Sequence, residues 1–409
     1  MKDRATDYAR AVVRGEVVAG LPHIQACKRH LSDISRQDTR DFPYIWQPEK
    51  SERILDYAET LTLAEGTAPT PLRLHGFQAF DLGVPMGWIK TANGARRFRR
   101  SYESMGRQNG KSLKNGVRGT YIAAFGGYHH GKIFTAATKK RQSRIAWEEM
   151  EKFIQIDPDL RDLFKVQGYK SLITSLTTNC TIEALSREGG LDDGFRAIYV
   201  SLDEIHQLKD NSVYKSLYNG TKALKETLVS MITTRGKSMN SFCFEMDEYC
   251  LNILNGSVTA EDFFVDIYTL DKDDNIFDEA CWIKANPFLA RTESGLESLR
   301  VDAETARNMG GMDLTDFKIK SLNLWAYDAD KKYLDPEKWV ACGTDKTLAD
   351  MRGRKCYVGL DLSSGGDLTT LSLEFPLDNG GAYLYSHSFM PRGRFEEHIK
   401  TDLAPYDIG

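Results

Sequence analysis

The chain contains no apolar run approaching the roughly 20 residues that a membrane-spanning helix needs. Its opening stretch, Met1 to Gly20, carries Asp3, Arg4, Asp7, Arg10 and Arg14, which does not suit the apolar core of a secretory leader. Neither a leader nor a transmembrane helix is expected. The seven cysteines are scattered, with no Cys-x-x-Cys pair. A disulfide framework and a paired-cysteine zinc site are thereby excluded, and the cysteines read as reduced thiols of a cytosolic protein. Positive charge is not in excess either. The formal net charge of −4 leaves any nucleic-acid contact to local patches. What remains is ordinary for a globular protein: 41% hydrophobic and 27% charged residues, in a chain of 409 that can hold two or more domains and a sizeable core.

The chain is organised around Met105-Gly106-Arg107-Gln108-Asn109-Gly110-Lys111-Ser112. Before it, Arg97 to Ser104 alternates bulky and charged residues as a strand does. After it, Leu113 to Ala124 has apolar residues at helical spacing. Strand, glycine loop and helix start make the context of a phosphate-binding loop, in which backbone N–H groups and the helix dipole face the phosphates. Lys111 is then placed to reach the β/γ-phosphates and the Ser112 hydroxyl to ligate Mg²⁺. The usual spacing, G-x-x-x-x-G-K-[ST], would put a glycine at Met105, whereas the glycine here is Gly106, one place late. Gly-Lys-Ser alone also occurs in surface turns with a solvated lysine, so the rest of the chain must decide.

Ala197 to Glu204 supplies the second anchor. A largely apolar run ending in Asp203-Glu204 is the pattern of a buried parallel strand that delivers carboxylates at its C-terminal edge. Asp203 is assigned to Mg²⁺, held through water, and Glu204 to orienting and deprotonating the attacking water. An apolar run followed by acids is often only a strand end; downstream of a Gly-Lys-Ser loop it carries more. The third anchor, Leu228 to Gly236, is another core-strand pattern, with Thr233 and Thr234 at its end. Such a strand lies beside the acid-bearing one in many ATPase sheets, where its hydroxyls couple γ-phosphate state to movement. Strand propensity alone also favours threonine.

Around these anchors the chain divides into an amphipathic helical lead-in (1–70), a P-loop ATPase core (71–240), a lid or connector (241–345), and a linker with the first strands of a further domain (346–409). In the lead-in, Asp7 to Ser35 and Glu49 to Leu63 have helical patterns. Gln78, shortly before the loop, has an amide that can donate and accept at once, which suits the adenine edge of ATP. Arg96, Arg97, Arg99 and Arg100 form a basic cluster, readable as a solvated strand face or a phosphate-backbone contact. Lys139, Lys140, Arg141 and Arg144 open a helix, readable as a solvated face or a DNA contact. In the connector, Leu314 to Trp325 has a helical pattern. Near the end, Cys356 to Asp361, Leu368 to Phe375 and Ala382 to Ser388 make a three-strand meander with a Gly365-Gly366-Asp367 turn. A meander with Asp361 on its first strand is how a ribonuclease-H-like nuclease begins, a fold that gathers carboxylates around Mg²⁺ or Mn²⁺. About one such fold's worth of sequence is expected beyond Gly409.

Phe77-Gln78, Gly94 to Arg100, Gly106 to Ser112, Asp203-Glu204-Ile205-His206, Thr233-Thr234, Lys284 to Pro287 and Gly359-Leu360-Asp361-Leu362-Ser363 stand in an order and combination that resembles the large subunit of tailed-bacteriophage terminases. The resemblance implies an ATP-driven translocase that packages double-stranded DNA into a procapsid, with metal-dependent endonuclease activity in the full-length protein. It implies ATP contacts from Gln78, Gly106, Arg107, Gln108, Asn109, Gly110, Lys111 and Ser112, with Arg107 on the γ-phosphate. A deviant phosphate loop with arginine just before its end is frequent in that family. Asp361 and Asp367 are implied to bind nuclease metal. Further implications are a homo-oligomeric ring, a pentamer, docked on the portal protein in the cytoplasm of an infected bacterial host, and a small terminase subunit as partner. An arginine from a neighbouring subunit completes such a site, and Arg187 and Arg196 are both candidates. The family's later nuclease acids are absent, so ATP hydrolysis without DNA cleavage is expected of residues 1–409.

Two other readings compete. One is an ATP-silent assembly or DNA-docking subunit with a decayed loop. Lys111, Ser112, Asp203 and Glu204 standing together argue against decay. The other is a superfamily-two-type helicase, which shares the glutamine and Asp-Glu motifs but needs a second motor domain where a nuclease-like sheet follows.

Overall fold

The computed structural model describes residues 2–64, 66, 68–137, 140–185, 196–326, 336–362 and 368–390. The chain divides into two compact units, Met1–Lys331 and Lys332–Gly409.

The helical pattern over Asp7 to Ser35 is two helices, not one continuous run. Helix α1 (Arg4–Val13) is capped by Asp3, whose carboxylate accepts from the Thr6 N–H at 3.1 Å. The chain then turns at Gly15, in the left-handed region at φ 78°. Helix α2 (Leu21–Arg36) starts after Gly20, where a Cβ would stand 2.2 Å from the Thr269 carbonyl oxygen. Helix α3 (Pro48–Thr60) and helix α4 (Gly76–Gly87) follow, and α4 is buried along nearly its whole length. Helix α5 (Lys111–Phe125) carries the end of the glycine loop in its first turn.

An eight-stranded sheet forms the centre of the first unit. Its strands are β1 (Arg100–Ser104), β2 (Lys132–Ala136), β3 (Phe164–Gln167), β4 (Leu172–Ser175), β5 (Thr181–Ala184), β6 (Ala197–Asp203), β7 (Leu228–Thr233) and β8 (Phe263–Ile267). They lie in the order β8-β1-β7-β6-β2-β5-β4-β3. From β8 to β5 all neighbours are parallel, and β4 and β3 close the edge antiparallel. Every residue of β6, β7 and β8 is buried, which is why these segments read as continuous apolar runs and not as alternations. Strand β8 falls in the segment expected to be connector, yet it completes the sheet by pairing with β1.

The expected helix over Leu314 to Trp325 is a short α-turn, Gly311–Asp316, followed by a π-helix, Phe317–Ser321. The wide turn exposes carbonyls that the loop uses, as described below. In the second unit, β9 (Tyr357–Asp361), β10 (Thr369–Pro376) and β11 (Ala382–Phe389) form an antiparallel meander, with Asp361 opposite Thr370.

Candidate active site

Three strand ends meet at the carboxyl edge of the sheet. The register pairs Asp203 with Ile232 and Thr233 with Ser104, so the acids, the hydroxyls and the start of the glycine loop arrive side by side. Gly110 closes the loop at φ 77°, a conformation that costs glycine nothing, and no side chain caps the helix it starts. The first-turn N–H groups of α5 therefore have no acceptor within the helix. Lys111 is buried, and its Nζ donates to the carbonyl oxygens of Met105 and Gly106, each at 2.9 Å. Burial pushes this ammonium down to about 8, against the opposing pull of Glu204 and Asp203.

Asp203, at the buried end of β6, is pushed up to about 7 by burial and by the charge of Glu204, against Lys111. Glu204 sits at φ 53°, ψ 50°, a left-handed conformation that strains a residue with a Cβ by about 1–3 kcal/mol. Burial pulls its carboxyl upward, but His206, Lys111 and Arg107 outweigh that and hold it below the ordinary range. His206 was given no role by sequence reasoning. Its Nδ1 lies 2.9 Å from Glu204 Oε2, 3.1 Å from Thr233 Oγ1 and 3.5 Å from Thr234 Oγ1. The imidazole thus joins the acid to the hydroxyl pair. Only its place two residues after Glu204 could have signalled this.

Beside the loop lies a cavity of about 320 Å³, lined by Leu72, Gln78, Gly110, Leu113, Phe153 and Phe288 among others. Gln78 is buried near the start of α4. Its Oε1 accepts from the His75 N–H at 2.9 Å, and its Nε2 lies 3.3 Å from where a Cβ on Gly110 would stand.

The late glycine has a tertiary cause. A Cβ on Gly106 would meet Asn286 Oδ1 at 2.6 Å, the Ser321 carbonyl oxygen at 2.9 Å and that of Ala285 at 3.1 Å. Met105, where the usual spacing wants glycine, is instead fully buried against Phe77 and Tyr268. The loop is clamped to the segment after β8: Gly106 N–H donates to Ala285 O and Arg107 N–H to Lys320 O, within the π-helix. Asn109 Nδ2 donates to Arg107 O and Asn286 Oδ1, and its Oδ1 accepts from the Phe288 and Leu289 N–H groups at 3.0 and 3.1 Å. All four hydrogen-bonding positions of that amide are used, so Asn109 can meet a nucleotide only through its backbone. Asn323, also buried, bonds Ser104 Oγ, the Tyr268 carbonyl and the Arg235 N–H.

Beneath α5 runs a buried charge network. Lys114 bridges Asp81 and Glu103, and Arg118 pairs with Glu103 at 2.5 Å. The Tyr268 hydroxyl contacts both Asp81 Oδ1, at 3.1 Å, and Asp266 Oδ2, at 2.9 Å. One hydroxyl has one proton to give, so one carboxyl must donate to it. Burial raises both carboxyls, Asp81 well above the usual carboxylate range and Asp266 to about 7; because Asp81 holds the Lys114 ammonium, the proton is assigned to Asp266. His23, held neutral by burial and pushed down to about 4, completes the chain through Asp266 Oδ1 at 2.7 Å.

The remaining candidates fall elsewhere. Arg107 is exposed on the loop and Ser112 half-buried in the first turn of α5. Arg196 is exposed just before β6, at the end opposite Asp203 and about 20 Å away along the strand; within one chain it does not meet the acid pair. Arg187 and Asp367 lie outside the described residues, and Asp361 is exposed on β9. Among the described residues no three His, Cys, Asp or Glu side chains are grouped to hold a metal. Three of the four clustered arginines are structural. Arg97 is fully buried between Asp33 and Glu261, Arg99 donates to the carbonyls of Thr221 and Leu224, and Arg100 pairs with Asp262. Arg144 pairs with Glu148 along its own helix. No described helix is long and apolar enough to cross a membrane.

Two family models match: "Terminase large subunit, ATPase domain" over residues 76–252 and "Terminase large subunit, endonuclease domain" over residues 257–407. The chain is 26% identical over 312 residues to the terminase large subunit of Enterobacteria phage HK97, covering 75% of this chain and 59% of that protein. It is 29% identical over 225 residues to protein YmfN of Escherichia coli K12, covering 53% and 48%. The chain thus spans about half to three-fifths of these curated relatives. The crystal structure of the HK97 large terminase superposes with a TM-score of 0.57 at 22% identity, covering 88% of this chain and 72% of that one, which shows a shared fold. With both domain models matched in succession, the chain belongs to the terminase large-subunit family.

Proposed function

We propose that this chain is the ATP-driven motor subunit that moves viral double-stranded DNA into a procapsid, and that its second unit contributes Asp361 and Asp367 to a metal-dependent endonuclease. The observation that carries the motor reading is the convergence of Lys111, Asp203 and Glu204 at one sheet edge, close enough that both acids act on the Lys111 ammonium, it acts on both, and Glu204 raises Asp203. Lys111 exchanges its two loop carbonyls for β/γ-phosphate oxygens, and the uncapped N-terminus of α5 receives the phosphates. The apolar cavity takes the adenine, with the free end of Gln78 at its rim. Glu204, kept ionised by its neighbours, accepts the proton of the attacking water, and His206 passes its position to Thr233 and Thr234. Arg107 meets the γ-phosphate from the exposed face of the loop.

The donor set suits a magnesium ion: the Ser112 hydroxyl and the Asp203 carboxyl are hard oxygen ligands, and Glu204, held ionised by His206, Lys111 and Arg107, adds a second acid beside them. Bound there, such an ion supplies charge neutralisation on the phosphates. A pentameric ring on the portal, fed by a small terminase subunit, brings Arg196 or Arg187 of one subunit to the site of the next. Steady-state ATP hydrolysis, measured with and without procapsid and DNA, tests the reading. Turnover that rises with both supports it, and an ATP-silent protein under all conditions overturns it.

A further inference from the structure

Of the four arginines ahead of the loop, Arg96 alone has a buried guanidinium nitrogen with no hydrogen-bond partner. One guanidinium nitrogen, Nη2, lies 3.5 Å from Glu226 Oε2, and its backbone N–H donates to Glu226 Oε1 at 3.0 Å. The other, Nη1, is buried with no hydrogen-bond partner, on a side chain only 11% exposed. Leaving such a donor unsatisfied is unfavourable, and the surroundings suggest what it awaits. Arg96 lines a cavity of about 130 Å³ with Lys50, Arg53, Tyr121, Gly126 and Glu226. Lys50 and Arg53 are exposed, and neither has an ion-pair partner among the described residues. The charges of Arg53 and Arg96 both reach the Tyr121 hydroxyl.

The cavity lies at the other end of the sheet from the loop. Arg96 precedes β1, Glu226 precedes β7, and Gly126 caps the far end of α5, whose fifteen residues span roughly 20 Å. We propose that Lys50, Arg53 and Arg96 bind a phosphodiester of the DNA backbone there. Charge selects that ligand. Glu226 cancels one of the three cations, and the C-terminal end of α5 adds about half a negative charge. Between one and two positive charges remain, which matches a singly charged phosphodiester. Size agrees: the space suits one phosphate group, whereas the cavity beside the loop is about 320 Å³. Neutralising a helix end alone would need neither three cations nor an unpartnered guanidinium nitrogen. A turn about the terminal torsions of Arg96 brings Nη1 to a phosphate oxygen while Glu226 fixes the rest of the group.

The test uses the full chain without nucleotide, so it is independent of the ATPase reading. Binding of a duplex of about 20 base pairs is titrated across salt concentrations for the wild type, the Lys50→Ala/Arg53→Ala double variant and Arg96→Gln. The double variant changes only exposed side chains and keeps its fold and its DNA-free ATP turnover. The slope of log affinity against log salt should fall by about 0.9, the value for one lost phosphate, with several-fold weaker binding at low salt. A parallel arm measures the melting temperature with inorganic phosphate. A phosphate-dependent rise lost in both variants, with the DNA slope unchanged, would keep the oxyanion site and assign it to free phosphate, overturning the DNA assignment. If neither the slope nor the phosphate response moves, the site is refuted.

Discussion

Two strands of this chain end in nearly the same five residues. Tyr199-Val200-Ser201-Leu202-Asp203 closes β6, and Tyr357-Val358-Gly359-Leu360-Asp361 closes β9. Both are strands, and both deliver an aspartate at the carboxyl end. Everything else differs. The first lies between two parallel neighbours with every residue buried, and its aspartate is pushed up to about 7. The second is an edge strand of a meander with every residue exposed. Local sequence therefore determines that a carboxylate stands at a strand end. Tertiary surroundings determine whether it is a perturbed group beside a lysine or an acid that faces solvent.

The largest expected effect removes what makes the first aspartate special. Lys111→Ala leaves Asp203 and Glu204 facing each other without their buried cation. ATP turnover should fall to background while circular dichroism stays native; wild-type turnover would remove the loop from the mechanism. Next is Asn109→Ala, which strands the Phe288 and Leu289 N–H groups and Asn286 Oδ1. Unfolding free energy should drop by about 1–3 kcal/mol, read by denaturant titration, and an unchanged midpoint would mean that the loop does not depend on its clamp.

Asp266→Asn probes a carboxyl that burial raises against the opposing pull of its hydrogen bonds and of Lys114. Its folded pKa, about 7, lies above the unfolded value, so between about pH 4 and 7 the native state binds more protons and wild-type stability falls as pH rises. Asparagine mimics the protonated acid, accepting from His23 and donating to Tyr268. The variant should gain on the wild type by up to about 1.4 kcal/mol per pH unit across that window, with no further gain above it. His23 adds the same opposite slope to both proteins. A pH-independent difference would show that Asp266 is ionised in the fold. The smallest effect belongs to Asp361→Ala. On an exposed strand it should change stability by less than about 0.5 kcal/mol and leave ATP turnover intact; a large loss in either would mean that Asp361 is not the solvated counterpart of Asp203.

Much of this was legible in the sequence because it is local. Gly110-Lys111-Ser112 at a helix start, the apolar runs of β6 and β7 and the meander all follow from periodicity and from residues adjacent in the chain. What was not legible is long-range. Gly106 stands where it does because Asn286 and Ser321, some 180 and 215 residues later, leave no room for a Cβ. Arg97 looked like its basic neighbours, yet it is buried because Asp33 and Glu261 converge on it from two distant segments. Strand β8 carries no sign of which sheet it joins, and its pairing with β1 decided that. His206 reads as an ordinary turn residue until β7 brings Thr233 and Thr234 beside it.

The central claim is that the buried acid pair is a hydrolytic site with divided roles, Asp203 for metal and Glu204 as base. Glu204→Gln tests it most directly, because the amide keeps shape and hydrogen bonding but cannot take a proton. Nucleotide binding and single-turnover hydrolysis should be measured on the same preparation with Mg²⁺ and ATP. Binding should persist near the wild-type level while the hydrolysis rate falls at least about a hundred-fold, the usual contribution of a positioned general base. Normal hydrolysis by Glu204→Gln, with Asp203→Asn inactive, would contradict the account and transfer the chemistry to Asp203.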